Sequence, residues 1–236
     1  MCAGSSDKRL SRVYRTVDSG MTWDLVLCPE SKGMFFNAMA FWDDKHGILL
    51  SDPVEGRFVL FKTEDGGKTW EQLMPTLMPF AMAGEHAFAA SNSCLVVQGS
   101  ENVWFATGGG PYARVFYSSD RGRHWSVAIT PIEVISPSSG IFSLDFLDEK
   151  TGIAVGGDYQ STTSFPYPNI IMTTDGGRKW EILDNKSFSG RYLSSVAWIS
   201  KEHAIVVDGA QGTFNSVAIT GNHGWAVGPN QRCAKF

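Results

Sequence analysis

FKTEDGGKTW occupies residues 61–70, and a near copy, MTTDGGRKW, returns at residues 172–180. Two more copies align with them. The four are VYRTVDSGMTW (13–23), LFKTEDGGKTW (60–70), VFYSSDRGRHW (115–125) and IIMTTDGGRKW (170–180). Each has two or three apolar or aromatic residues followed by Ser/Thr-x-Asp-x-Gly-x-x-Trp. The aspartates are Asp18, Asp65, Asp120 and Asp175, at spacings of 47, 55 and 55 residues. Self-similarity at such a period indicates one supersecondary unit repeated around or along the molecule.

The chemistry of the repeat is that of a turn. An x-Asp-Gly-Gly hairpin puts a residue at positive φ, which Gly adopts at little cost, and Gly20, Gly67, Gly122 and Gly177 fit that role. Each Asp is positioned to accept hydrogen bonds from N–H groups of its own turn, joined by the Ser/Thr two residues earlier. Trp23, Trp70, Trp125 and Trp180 are large apolar plugs with one donor each, expected to pack on their own blade and cap its edge. A catalytic carboxylate is needed once, in one environment. One that recurs in every unit is expected to be scaffold.

A second pattern lies between the turns. FNAMAFWDDKHGILLSD (36–52) resembles IFSLDFLDEKTGIAVGGD (141–158), with fainter copies at 192–209 and 214–230 and a longer-turned one at 88–109. Each alternates apolar and small residues, turns through polar residues and Gly, then runs apolar again, which is strand periodicity with hairpin punctuation. One unit therefore reads as four strands, with strand one like Asn37–Trp42, strand two like Gly47–Ser51, strand three entering the Asp-Gly turn, and strand four like Thr69–Leu73. Four antiparallel strands every 45–55 residues predict an all-β fold, a β-propeller of about five to six four-stranded blades. The whole chain, 1–236, is read as one propeller domain with a flexible segment at 1–12. The N-terminal part supplies strands three and four only, RCAKF (232–236) reads as a third strand, and the unit after Asp208 lacks its second half.

Composition agrees with this reading. The 236 residues include 15 Phe, 8 Trp and 25 Gly, and 43% are hydrophobic, a globular rather than disordered balance. The net charge of −4 carries no clustered basic face, so no nucleic-acid partner is expected. Cys2, Cys28, Cys94 and Cys233 form no CxxC pair, which argues against a thiolate metal site and leaves disulfides and free thiols both open. His46, His124, His203 and His223 show no zinc spacing, so no metal is expected. Gly108-Gly109-Gly110 opens no helix and is not a phosphate loop, so no cofactor is expected. No 18-residue apolar run predicts a transmembrane helix, and the first residues lack the apolar stretch of a signal peptide. Asn185-Lys186-Ser187 matches a glycosylation sequon.

The Ser/Thr-x-Asp-x-Gly-x-x-Trp turn resembles the Asp-box, or BNR repeat, of sialidases, some glycoside hydrolases, sortilin-type receptors and the photosystem II assembly-factor family. The intervening AMAFWDDKHGILLSDPVEGRF and GIFSLDFLDEKTGIAVGGDY look most like bacterial propellers related to that assembly factor. The resemblance implies six or seven blades in relatives, an exported location, and a ligand face opposite the boxes. Set against such relatives, the sequence as given is read as shortened at the front and between Gly209 and Thr213.

The opposite face carries the loops between strands two and three, SDPVEGR (51–57), TGGGPYAR (107–114), GGDYQSTTSFPYPN (156–169) and VDGAQG (207–212). Asp52, Asp158 and Asp208 are read as equivalent positions forming a ring of carboxylates, answered by Arg57 and Arg114. Tyr112, Tyr159 and Tyr167 are read as a stacking rim, and Glu85 and His86 enter from the connection at 74–88. Asp at a strand end before Gly or Pro is also an ordinary turn cap.

Two functions compete. The favoured one is a non-enzymatic module binding a partner protein. The alternative is a glycoside hydrolase acting on carbohydrate, with Asp52, Glu85 and Asp158 as candidate catalysts, two of which would have to lie roughly 5–10 Å apart. Likeness to sialidases implies a further need for three arginines, of which Arg57 and Arg114 are on the expected face and Arg191 is a distant third. Oligomeric state is not legible.

Overall fold

The structure is a computed structural model that describes residues 2–3, 11–29, 33–74, 78–161, 167–183, 188, 190–209, 214–220, 223–230 and 232–235. It is an all-β propeller. Among the described residues, twenty strands form six antiparallel sheets, and the only helix is one 3-10 turn at Ala89–Ser91. Blade I holds β1 (Cys2–Ala3), β2 (Arg12–Arg15) and β3 (Asp24–Leu27). Blade II holds β4 (Phe36–Phe41), β5 (Gly47–Val54), β6 (Arg57–Thr63) and β7 (Glu71–Gln72). Blade III holds β8 (Leu95–Gln98), β9 (Asn102–Ala106), β10 (Arg114–Ser118) and β11 (Ser126–Ile129). Blade IV holds β12 (Ser139–Phe146), β13 (Gly152–Asp158), β14 (Ile170–Thr173) and β15 (Glu181–Ile182). Blade V has β16 (Leu193–Trp198) and β17 (Ala204–Asp208), and blade VI has β18 (Ser216–Thr220), β19 (His223–Val227) and β20 (Cys233–Lys235).

Strand alternation explains why the blades stack. In β5, Ile48 and Leu50 join the core shared with blade III, while Leu49 between them joins the core shared with blade I. Likewise Val103 and Phe105 of β9 face blade II, and Trp104 and Ala106 face blade IV. Successive side chains point to opposite sides of a strand, so an all-apolar strand feeds two interfaces at once. Five such clusters fill the gaps between the six sheets.

The recurring turn has the same hydrogen bonds in four blades. The hydroxyls of Thr16, Thr63, Ser118 and Thr173 donate to Asp18, Asp65, Asp120 and Asp175 at 2.7–2.9 Å. The same hydroxyl oxygens accept from the N–H of Gly20, Gly67, Gly122 and Gly177. Each carboxylate also accepts the N–H four residues on, from Thr22, Thr69, His124 and Lys179. Trp23, Trp125 and Trp180 donate from Nε1 to the carbonyl of the turn glycine. Trp70 does not, and meets Phe41 edge-on instead. The indoles reach further than the edge of their own blade. Trp125 sits in the core between blades II and III, and Trp180 in the core between blades III and IV.

The hub is knitted by buried polar atoms. The first strands of blades II, IV and V each shift register once, between Phe36/Ala38, Ile141/Ser143 and Leu193/Ser195. Such bulges bend a strand and free backbone groups that need partners. Ser143 Oγ accepts Val196 N–H at 3.0 Å, and Ser195 Oγ accepts Val217 N–H at 3.2 Å. Ser93 donates to Ser143 at 2.7 Å, and its carbonyl accepts Leu144 N–H. Asn92 bonds both backbone groups of Met39. The 3-10 turn touches β4, β12, β16 and β18, so residues 89–93 lie at the axis and plug it.

Several expectations change. Blade I gains β1, which pairs Cys2 and Ala3 with Val13 and Arg12, inside the segment expected to be flexible. SDPVEGR is mostly strand, because β5 runs to Val54 and β6 begins at Arg57. Only Glu55 and Gly56 turn, both at positive φ, as a two-residue hairpin requires. Cys28, Cys94 and Cys233 are free thiols. The sequon at 185–187 lies outside the described residues, as do residues 210–213.

Candidate functional site: an aromatic cleft over the hub

The turns described above join strands three and four, so antiparallel pairing puts the starts of strand one and the ends of strand two on the other face. There a cleft of about 450 Å³ opens over the hub. Its walls are Phe35 at the entry to β4, Phe88 from the axial segment, Phe142 of β12, Tyr159 after β13, and Tyr192 before β16. Among the described residues, Asp52 and His86 add polar side chains to the two tyrosines.

The rings pack on one another in a defined way. Phe88 and Phe142 stack with centroids 4.1 Å apart. Tyr159 stands edge-on to both, at 6.2 and 6.1 Å, and Tyr192 meets Phe142 edge-on at 4.7 Å. His86 meets Phe88 edge-on at 4.8 Å. Phe88 and Phe142 are buried, while Tyr159 is 51% exposed. Burial, then proximity to Tyr159, pushes the Tyr192 phenol up to about 12.

The segment carrying His86 and Phe88 is fixed from below. His86 and Gly108 exchange two backbone hydrogen bonds of 3.0 Å, and Gly108 bridges on to Gly140. A Cβ at Gly108 would stand 2.5 Å from Ser139 O and 2.8 Å from Phe88, so this glycine serves close packing. Ala87 N–H donates to Asp52 Oδ1 at 3.1 Å. Beneath, Glu85 has no exposed side-chain surface and makes a two-pronged ion pair with Arg114, whose Nε lies 2.9 Å from Oε1 and whose Nη2 donates to Oε2. Glu85 also accepts from Thr107 Oγ1 at 2.7 Å and Met82 N–H at 2.8 Å.

The three candidate carboxylates are therefore in different circumstances. Asp52 lines the cleft and accepts from Asn37 Nδ2 at 2.8 Å. Glu85 is sealed under it. Asp158 accepts from Ser138 Oγ at 2.6 Å, Ser136 Oγ at 2.8 Å and Gln160 N–H at 2.9 Å. Partial burial works against its charge, but those bonds outweigh burial and hold its carboxyl below the usual range. Asp208 pairs with Arg191 at 3.1 Å.

The three aspartates read as equivalent are not. Leu50, Val155 and Val207 occupy one register position, opposite Ala38, Ser143 and Ser195. Asp208 follows that position by one residue, Asp52 by two and Asp158 by three, so they alternate sides instead of forming a ring. Among the expected cations, Arg57 lies 3.6 Å over the Phe80 ring and donates to Met78 O. Tyr112 is half exposed and outside the cleft lining. Tyr167 borders a small hollow shared with Asp158 and Arg191.

Phe35, Phe88, Phe142 and Tyr192 were not singled out from sequence. The signal was present. Phe35 and Tyr192 hold the same place one residue before strand one, in MFFNAMAF and RYLSSVAW. Such aromatics pass for core until the hub is seen.

No protein-family model matches the chain, and no curated protein matches it. Solved structures do. The GH74 enzyme of Niastella koreensis overlays with a TM-score of 0.58 at 15% identity, over 97% of this chain and 34% of that one. The chain is similar in fold to the GH74 propellers. The GH74 xyloglucanase of Xanthomonas campestris gives 0.58 at 16% identity, over 98% of this chain and 33% of that one. A protein of unknown function from Dyadobacter fermentans gives 0.57 at 11%, over 98% of this chain and 84% of that one. This chain thus spans about a third of the length of the two GH74 chains, and identities this low speak to fold alone.

Proposed function

We propose that the protein is a binding module that engages a protein partner through the aromatic cleft on the face opposite its Asp-Gly turns. One observation carries the reading. Five aromatic side chains from four separate parts of the chain converge on one concave site over the axis, the kind of pocket in which rigid rings supply most of the binding energy. The carboxylates give the second support. Glu85 and Asp158 serve as acceptors for neighbouring donors, and neither stands in the cleft. We also take the four turns to be Asp-boxes, in line with the resemblance to the assembly-factor propellers. Their support is the identical hydroxyl–carboxylate–glycine bonding around Asp18, Asp65, Asp120 and Asp175.

The test is selection of binders from a random peptide display library on the immobilised protein. Selected peptides are expected to lose binding to Tyr159→Ala and keep it with Asp65→Asn. Hydrolysis of a chromogenic glycoside panel, or of xylo-oligosaccharides, that disappears in Asp52→Asn would overturn the reading in favour of a hydrolase.

A further inference from the structure

We propose that the outer edge of blade V is a second interaction surface, away from the cleft, which takes an extended apolar segment of a partner protein as the third strand of that blade. Blades II, III and IV follow strand two with a third strand, β6, β10 or β14. In blade V residues 209–215 alone link β17 to β18, whereas 159–192 link β13 to β16 and contain β14 and β15. Among the described residues, β17 pairs with β16 and with no strand on its other side. The side chains reflect the difference. Leu49, Phe105 and Ala154 are wholly buried beside a third strand, while Val206, at the equivalent place, is only partly buried. The backbone points the same way. Ile199 N–H donates to His203 O at 2.9 Å, so alternation along the antiparallel pair turns the N–H and C=O of Ala204 and Val206 away from β16. Val196, opposite Val206, turns its own N–H away to Ser143 Oγ. A row of such outward groups is a template for another strand.

The same chain shows three times what fits there. Opposite Leu50, Ala106 and Val155, the counterparts of Val207, stand Leu60, Val115 and Ile170. Opposite Leu49, Phe105 and Ala154 stand Phe61, Phe116 and Ile171, and the next partner is a long side chain, Lys62, Tyr117 or Met172. The occupant therefore needs two adjacent apolar residues, because strand three lies between two blades and alternate side chains enter different cores. In blade II, Leu60 joins the core shared with blade III and Phe61 the core shared with blade I. In blade V the first apolar residue would join the cluster of Val207 and Val217, and the second the cluster that Val206 packs against. A second folded copy does not suit this edge. Blade IV carries β14 and β15, and blade VI carries β20, beyond their second strands. The edge of β17 is thus recessed between them and admits a single extended segment.

The probe is a capped peptide of the protein's own third strand, RFVLFKT, copying residues 57–63, tested by calorimetry and hydrogen–deuterium exchange on the full chain. It is expected to bind and to protect residues 204–208 while leaving 86–89 at the cleft unchanged. Replacing its leucine and the following phenylalanine by aspartates should weaken binding about ten-fold or more. N-methylation of that phenylalanine, whose N–H would pair with Val206 O, should weaken it about ten-fold with every side chain kept. Ala204→Pro, at the first residue of an edge strand where proline is tolerated, should weaken it likewise, and its Tm checks that the variant folds. Should it unfold, the N-methyl peptide alone decides. Equal binding of the three peptides would overturn the inference. So would protection at the cleft or at another sheet edge, or no binding up to the solubility of the parent peptide. Dimerisation of the peptide-free protein in sedimentation, abolished by Ala204→Pro, would put a second copy on this edge and overturn the assignment to a partner protein.

Discussion

Glu85 gives the sharpest test of how the cleft is built. Its carboxylate is almost wholly enclosed and accepts from four donors: both prongs of Arg114, Thr107 Oγ1 and Met82 N–H. Truncation to Ala leaves the Arg114 guanidinium, itself only 5% exposed, buried without its counter-charge. Breaking one side of a buried pair costs about 3–5 kcal/mol. In a chain of this size each kcal/mol lowers Tm by about 2–4 °C, so Glu85→Ala should lose roughly 6–20 °C. The double variant Glu85→Leu/Arg114→Met removes both charges and should recover most of the loss, because the pair's attraction mainly offsets its own desolvation. Thermal unfolding by circular dichroism, with denaturant midpoints at constant m-value, reads both effects. A single-variant loss under about 1 kcal/mol would refute the claim that this pair anchors the axial segment. So would a double variant no better than the single.

Four further outcomes are expected. Hydrogen bonds from the Thr22 side chain, then Thr22 N–H and Thr16, hold the Asp18 carboxyl at about 2 against an ordinary 3.8. A depressed carboxylate contributes stability fully above its unfolded value and loses it as pH falls toward its folded one, so Tm should drop between pH 4 and 2, less steeply in Asp18→Asn. Gly20 and Gly177 both sit at positive φ, but a Cβ at Gly177 also meets Trp104 at 3.0 Å while one at Gly20 finds its nearest contact at 3.7 Å. Gly177→Ala should therefore unfold at a lower temperature than Gly20→Ala, and the reverse order would contradict the packing. Trp125 is 9% exposed between blades II and III, and Trp125→Ala should cost about 3–5 kcal/mol in denaturant unfolding. Cys28 and Cys233 are exposed and Cys94 is buried, so thiol titration of the folded protein should label Cys94 after both of them.

The parts of this fold that were legible in the sequence are those fixed by local chemistry. Asp65, Gly67 and Trp70 lie within six residues of one another, and the turn they make follows from their own hydrogen bonds, so the repeating unit and the turn-bearing face could be read directly, and the blade number only as five to six, because the turn marks four of the six sheets. The cleft depends on contacts that local patterns do not encode. Glu85 meets Arg114 across 29 residues, and Ser93 meets Ser143 across 50. The misread register of Asp52, Asp158 and Asp208 has a similar origin. These strand ends cross bulges at the hub, and one residue more or less moves a side chain to the other side of the strand. Phe35 and Tyr192 look like core aromatics because their neighbours Phe36 and Leu193 are core.

The most direct test of the central claim is a hydrogen–deuterium exchange footprint of the protein with and without a display-selected peptide. Protection is expected at the cleft, over residues 86–89, 140–143 and 191–194, with the turns at 65–70, 120–125 and 175–180 unchanged. Protection confined to those turns, with the cleft unaffected, would contradict it.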